Sequence, residues 1–80
     1  MNIVVYGRSV PYCSFCEGAK KFLEIRGLKY TWVDIVTLEP EQIDSLREQW
    51  RSVPIIYIDD ILIGGLNELQ LFFKKETETN

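Results

Sequence analysis

Cys13 and Cys16 are the only cysteines of this 80-residue chain, and they stand where one kind of secondary structure gives way to another. Before them, Asn2 to Tyr6 ("NIVVY") is a short β-branched run closed by Gly7, the pattern of a buried strand. After them, Phe15, Ala19, Phe22 and Leu23 recur at helical spacing between Ser14 and Arg26, and Gly27 supplies a stop just beyond. The pair therefore sits at the N-terminal end of a helix that leaves a buried strand.

The rest of the chain narrows the choice. Lys29 to Ile35 ("KYTWVDI") is β-rich, and its distance from the first strand admits one crossover helix, which predicts a parallel, right-handed strand-helix-strand unit. Pro40 opens a segment in which Ile43, Leu46 and Trp50 recur at i, i+3 and i+7, with acidic residues near its start; this predicts a second helix over about 40–50. Two short strands, Ile55 to Ile58 and Ile61 to Ile63, join at Asp59-Asp60 in a tight hairpin. Beyond Gly64-Gly65, Asn67 is the expected cap of a last helix whose Leu69, Phe72 and Phe73 face the core, and residues from about 76 to 80 are expected to fray.

Eighty residues allow one domain, 1–80, which at this size buries only roughly 60% of its unfolded surface. Apolar residues make up 46% of the chain, enough for a core. The net charge is −3, with no His and no basic run, which argues against a nucleic-acid partner. No apolar stretch approaches the roughly 20 residues of a membrane span, and the N-terminus lacks the features of a signal peptide, so the expected location is the cytoplasm. In that compartment a cysteine pair is more often catalytic or metal-binding than structural.

The order of elements describes an α/β protein: a four-stranded mixed sheet flanked by about three helices. With a Cys-x-x-Cys after its first strand, this is the pattern of a thioredoxin-like redox domain. A free thiol, with a pKa near about 8.5, is mostly protonated at neutral pH, but a helix start changes that for Cys13. The open N–H groups of the first turn, those of Phe15 and Cys16, can donate to its sulfur, and the helix dipole favours the anion. Cys16, one turn further in, should be more buried and act as the resolving thiol. A structural zinc site needs four ligands, which two Cys and no His cannot supply as a Cys/His set. A structural disulfide closing so short a loop would constrain little of the unfolded chain.

Two frames fit the stretch "VPYCSFC", residues 10–16. Read from the left, it looks like a Cys-Pro-Tyr-Cys motif whose first cysteine has become Val10; read from the right, it is an intact pair. The residues beyond Cys16 decide between the two. "CSFCEGAKKFLEIRGLKY" resembles the Cys-x-x-Cys-x-x-Ala-Lys helix of the glutaredoxin family, and Ala19-Lys20 and Gly27 keep their places only if Cys13 is the first cysteine. "SVPIIYID" resembles the family's Thr-Val-Pro segment, with Ser52 for Thr and a cis proline, here Pro54. "IGGLNEL" resembles its Gly-Gly-x-x-Asp segment.

The resemblance implies a glutathione-dependent thiol-disulfide oxidoreductase. Glutathione would bring its sulfur to Cys13, pair its backbone with Val53, and place its γ-glutamyl end at Leu66 and Asn67 beside Gly65. Arg8 would replace the cation that the family often carries where this chain has Val10, and Phe15 would pack beside the ligand. Asn67-Glu68 stands where the family has an acidic residue, leaving Glu68 to meet the ligand's amino group. Ser14, in a slot often held by Pro, implies a second possibility: a dimer binding a 2Fe-2S cluster through Cys13 and glutathione. A redoxin served by thioredoxin reductase is a third, although such relatives usually carry Trp-Ser-Gly-Phe in place of "IGGLNEL". Otherwise a monomer is expected. Small dithiol members, virus-encoded ones in a host cytoplasm among them, commonly serve ribonucleotide reductase.

Overall fold

β1 (Ile3–Gly7) is the strand on which the fold is built: Ile3, Val5 and Gly7 are buried on one face, while Val4 and Tyr6 are half-buried on the other. The structure is a computed structural model that describes residues 1–78, with side chains described through residue 74. β2 (Thr31–Asp34) pairs parallel to β1, with Trp32 opposite Val5. β3 (Ile55–Ile58) lies antiparallel on the other side, with Ile56 opposite Val5, and β4 (Ile61–Gly64) completes a sheet of order β2-β1-β3-β4. This is the expected four-stranded mixed sheet, and with its three α-helices the architecture is thioredoxin-like.

The crossover helix α1 (Ser14–Ile25) and the last helix α3 (Leu66–Glu78) cover one face. Ile3, Val5, Ala19, Leu23, Ile56, Ile58 and Leu69 form the core between them and the sheet. Gly27, at φ 70°, ends α1: its N–H donates to the Glu24 carbonyl, and the N–H of Leu28 donates to that of Leu23, both at 3.0 Å. These paired bonds satisfy the last carbonyls of the helix and turn Leu28 back onto the core. At the other end the apolar stripe departs from expectation. Phe15 is 59% exposed, and Cys16, with Ala19 and Leu23, takes the inward positions of α1.

The second strand is shorter than expected, because the chain tightens at Asp34 into a 3-10 turn over Ile35–Thr37. Asp34 holds that turn, accepting from the Val36 N–H at 3.2 Å through its carboxylate and from the Thr37 hydroxyl at 2.7 Å through its carbonyl. α2 (Pro40–Gln49) then lies apart from the main core, with no fully buried residue; Ile43, Leu46 and, at the cap just beyond, Trp50 are half-buried. The β3-β4 hairpin turns at Asp59 and Asp60, both in the left-handed region at φ 52° and 68°. Two such residues are what a two-residue hairpin of the right twist requires. Asp59 gains from the conformation: it donates its N–H to the Asn2 carbonyl at 2.8 Å and accepts the Asn2 N–H on its carboxylate at 2.7 Å.

The start of α3 corrects the assignment of its cap. The Gly65 carbonyl accepts the first helical bond, from the Leu69 N–H at 2.9 Å, so Gly65 occupies the cap position and Asn67 lies exposed within the first turn. Glu68 closes the cap instead, accepting the Gly65 N–H at 3.1 Å. Backbone assigned to α3 continues to Glu78, into the stretch expected to fray; Thr79 and Asn80 lie outside the described residues.

Candidate active site

Cys13 is the N-cap of α1, in extended backbone at φ −124° and ψ 101°, and its Sγ accepts the N–H of Cys16 at 3.1 Å. The two cysteines form a disulfide, with Cα atoms 5.2 Å apart. Cys13 keeps 5% of its surface exposed and Cys16 none, so a ligand reaches the pair through Cys13. A donated N–H and the positive end of a helix are the surroundings that favour a thiolate over a thiol at a cysteine so placed.

The inner sulfur owes its place to Gly7. A Cβ there would stand 2.9 Å from the Cys16 Sγ and 2.6 Å from Cη2 of Trp32, closer than any side chain tolerates. The end of β1 therefore lets the sulfur and the indole edge meet across bare backbone. Lys20, one turn after Cys16, stacks over that indole, 4.2 Å from the ring centroid, and pairs with Glu17 at 3.2 Å.

From Cys13 a cleft runs toward α3. Its first recess, about 430 Å³, is lined by Arg8, Tyr12, Cys13 and Phe15 on one side and by Arg47, Arg51 and Val53 on the other. Its second, about 160 Å³, reaches from Phe15 and Val53 to Trp50, Gly65, Leu66, Asn67 and Glu68. Phe15, Arg51, Ser52 and Val53 border both, so the two form one groove. The Val53-Pro54 bond is cis, and so is Val10-Pro11. No backbone hydrogen bond involves Val53 among the described residues, which leaves its N–H and C=O as an open edge in the groove.

The far end is shaped by Trp50. A Cβ on Gly64, whose φ is 127°, would come within 2.8 Å of the Glu68 Cγ and 3.1 Å of Cη2 of Trp50. The indole thus lies against bare glycine backbone, and its Nε1 is 3.4 Å from where a Gly65 Cβ would be. With Gly65 as the cap, the N–H groups of Leu66 and Asn67 open the first turn of α3, an end suited to an anion. Glu68 contributes a carboxylate a few ångströms away, one oxygen of which holds the Gly65 N–H.

Arg8, Cys13, Phe15 and Val53 thus border the first recess, and Pro54, Gly65, Leu66 and Asn67 the second, while Cys16 lies behind Cys13. Arg8 donates from Nε to the Pro11 carbonyl at 3.1 Å and so holds the loop that leads to Cys13. Val10 is 87% exposed and lines neither recess. Sequence reasoning missed Arg47, Arg51 and Trp50. Arg47 and Arg51 are one helical repeat apart and flank the Leu46 and Trp50 face, so extending that periodicity past the end of α2 would have found them.

The protein-family model for glutaredoxin matches residues 3–63. The glutaredoxin of Haemophilus influenzae is 31% identical over 85 aligned positions, covering 95% of this chain and 94% of that protein. The glutaredoxin of Ricinus communis is 33% identical over 67 residues, covering 79% of this chain and 64% of that protein, so the match spans under two thirds of its length. Among solved structures, the glutaredoxin-like NrdH-redoxin of Escherichia coli superimposes with a TM-score of 0.74 at 26% identity, over 91% of this chain and 93% of that one. The buckwheat glutaredoxin-glutathione complex superimposes with a TM-score of 0.76 over 92% of this chain and 69% of that one; at 24% identity, that likeness is one of fold.

Proposed function

This chain belongs to the glutaredoxin family of thiol-disulfide oxidoreductases, and on that premise we propose that it reduces glutathione mixed disulfides and protein disulfides through Cys13 and Cys16, with glutathione as the electron source. One observation carries the reading: an open groove leads from the more exposed sulfur of the cysteine pair, along the unpaired edge of Val53, to the N-terminus of α3.

Glutathione fits that groove as a short extended peptide. Its cysteinyl backbone pairs with Val53 as an added strand, which sets its sulfur toward Cys13. The carboxylate of its γ-glutamyl end meets the N–H groups of Leu66 and Asn67, and the adjacent ammonium faces the free oxygen of Glu68. Its glycyl carboxylate meets Arg51, with Arg8 close by.

Chemistry begins when the Cys13 thiolate attacks a glutathione mixed disulfide. A bond forms between Cys13 and the glutathione sulfur, the old S–S bond breaks, and the substrate leaves as a thiolate that takes up a proton. A second glutathione thiolate then attacks the glutathione sulfur, releasing glutathione disulfide and restoring Cys13. When the substrate is a protein with an internal disulfide, Cys16 resolves the mixed disulfide instead and closes the pair. Two glutathione molecules reopen it.

We place this reaction in the cytoplasm, where the glutathione pool is reducing, and propose ribonucleotide reductase as the protein substrate. The test is glutathione-dependent reduction of a small mixed disulfide coupled to glutathione reductase, beside a parallel assay with thioredoxin reductase. Turnover in the first assay alone is expected; turnover only in the second would reassign the protein as a redoxin of the other system. Anaerobic incubation with iron and sulfide should leave a colourless monomer, and a coloured dimer would instead favour the cluster-binding role.

A further inference from the structure

The chain is acidic, at net −3, yet three of its four arginines converge on the recess that holds Cys13. Arg8 follows β1, Arg47 lies in the last turn of α2, and Arg51 lies beyond that helix. Among the described residues no acidic side chain lines this recess, and none of the three arginines forms an ion pair. Glutathione, bound as proposed above, accounts for part of this charge only. One carboxylate goes to the start of α3 and the other meets Arg51 with Arg8 close by, which leaves Arg47 in a recess of about 430 Å³ without a counterpart.

We propose that this recess docks an extended acidic segment of the protein substrate, with Asp or Glu side chains flanking the reactive cysteine and seated against Arg8, Arg47 and Arg51. The inference rests on the dithiol reading above and names its substrate class. Guanidinium groups bind carboxylates through two parallel N–H donors, so Arg8 on one wall and Arg47 and Arg51 on the other favour carboxylates on both sides of a sulfur. The Val53 edge supplies the backbone pairing, and exposed Phe15 forms an apolar wall. At physiological salt the Debye length is about 8 Å, so a docking segment senses these arginines rather than the net charge of the protein.

The experiment uses reduced wild-type protein and three peptides that differ only in the residues flanking an internal disulfide: Asp, Ser or Lys. In a single turnover, Cys13 attacks the peptide disulfide and releases one peptide thiol; Cys16 then attacks Cys13, releases the second thiol and closes the protein disulfide. Two electrons pass from the protein dithiol to the peptide, and glutathione is absent throughout. The Asp peptide should be reduced about tenfold faster than the Lys peptide at about 0.15 M salt, the ratio shrinking toward one as salt is raised. Arg47→Glu should remove most of that preference. Equal rates for the three peptides, or a faster Lys peptide, would overturn the docking proposal while leaving the dithiol chemistry intact. Failure to reduce any of them would overturn the dithiol reading, and the docking proposal with it.

Discussion

The N–H of Cys16 points at the Sγ of Cys13 from 3.1 Å, so the buried inner cysteine supplies a hydrogen bond to the outer sulfur. The spacing of the pair produces this. In the first turn of a helix, the N–H three residues after the cap has no backbone partner of its own, and a cap side chain receives it. One helix start thereby places both sulfurs and aims the Cys16 N–H at the outer one.

Gly7 holds the back of the site open. Gly7→Ala forces a methyl group against the Cys16 sulfur and the Trp32 ring, at 2.9 and 2.6 Å from its Cβ, and neither is the end of a flexible side chain. Overpacking of this kind costs about 1–3 kcal/mol. Urea unfolding should show that loss in the oxidised protein; unchanged stability would mean that the strand end and the ring separate easily.

Much of the fold was legible in the sequence because the signals were local. Gly27 stops α1 through its own φ, and the Asp59-Asp60 turn needs only residues that tolerate left-handed backbone. Features set by packing between distant segments were not legible. Phe15 shares the helical spacing of Ala19 and Leu23 but points to solvent, because the buried position at that end of α1 is taken by Cys16. The cap of α3 fell to Gly65 rather than Asn67 because Glu68 folds back onto the Gly65 N–H. Arg47 and Arg51 border Cys13 only because α2 ends beside it, which no short motif records.

Trp50 shapes the far recess, lying against Gly64 and Gly65 at the start of α3. Trp50→Ala should raise the KM for glutathione by about tenfold, the equivalent of about 1.4 kcal/mol, with a smaller effect on kcat. Steady-state kinetics with glutathione as the varied substrate checks this. Should kcat fall instead while KM stays put, the indole acts on Cys13 rather than on the ligand.

Tyr30 provides a pH-dependent check remote from the sulfurs. Its hydroxyl donates to Glu24 Oε2 at 2.6 Å. Partial burial, that bond, and the negative charges of Glu24 and Glu17 push its pKa up to about 12. A raised phenol pKa means that folding favours the neutral form. Its contribution to stability is therefore complete below the ordinary value near about 10 and is lost as pH climbs toward the folded value. Subtracting the ultraviolet titration of Tyr30→Phe from that of wild type should leave a phenolate transition well above about pH 10; a transition at the ordinary value would mean that the Glu24 contact is not kept in solution.

Attack by Cys13 and resolution by Cys16 make opposite demands on two serine variants. Glutathione-dependent reduction of a small mixed disulfide, coupled to glutathione reductase, separates the two roles when Cys13→Ser and Cys16→Ser are compared with wild type. Activity should vanish in Cys13→Ser and persist in Cys16→Ser, because a second glutathione thiol replaces the resolving cysteine. An active Cys13→Ser beside an inactive Cys16→Ser would reverse the two roles.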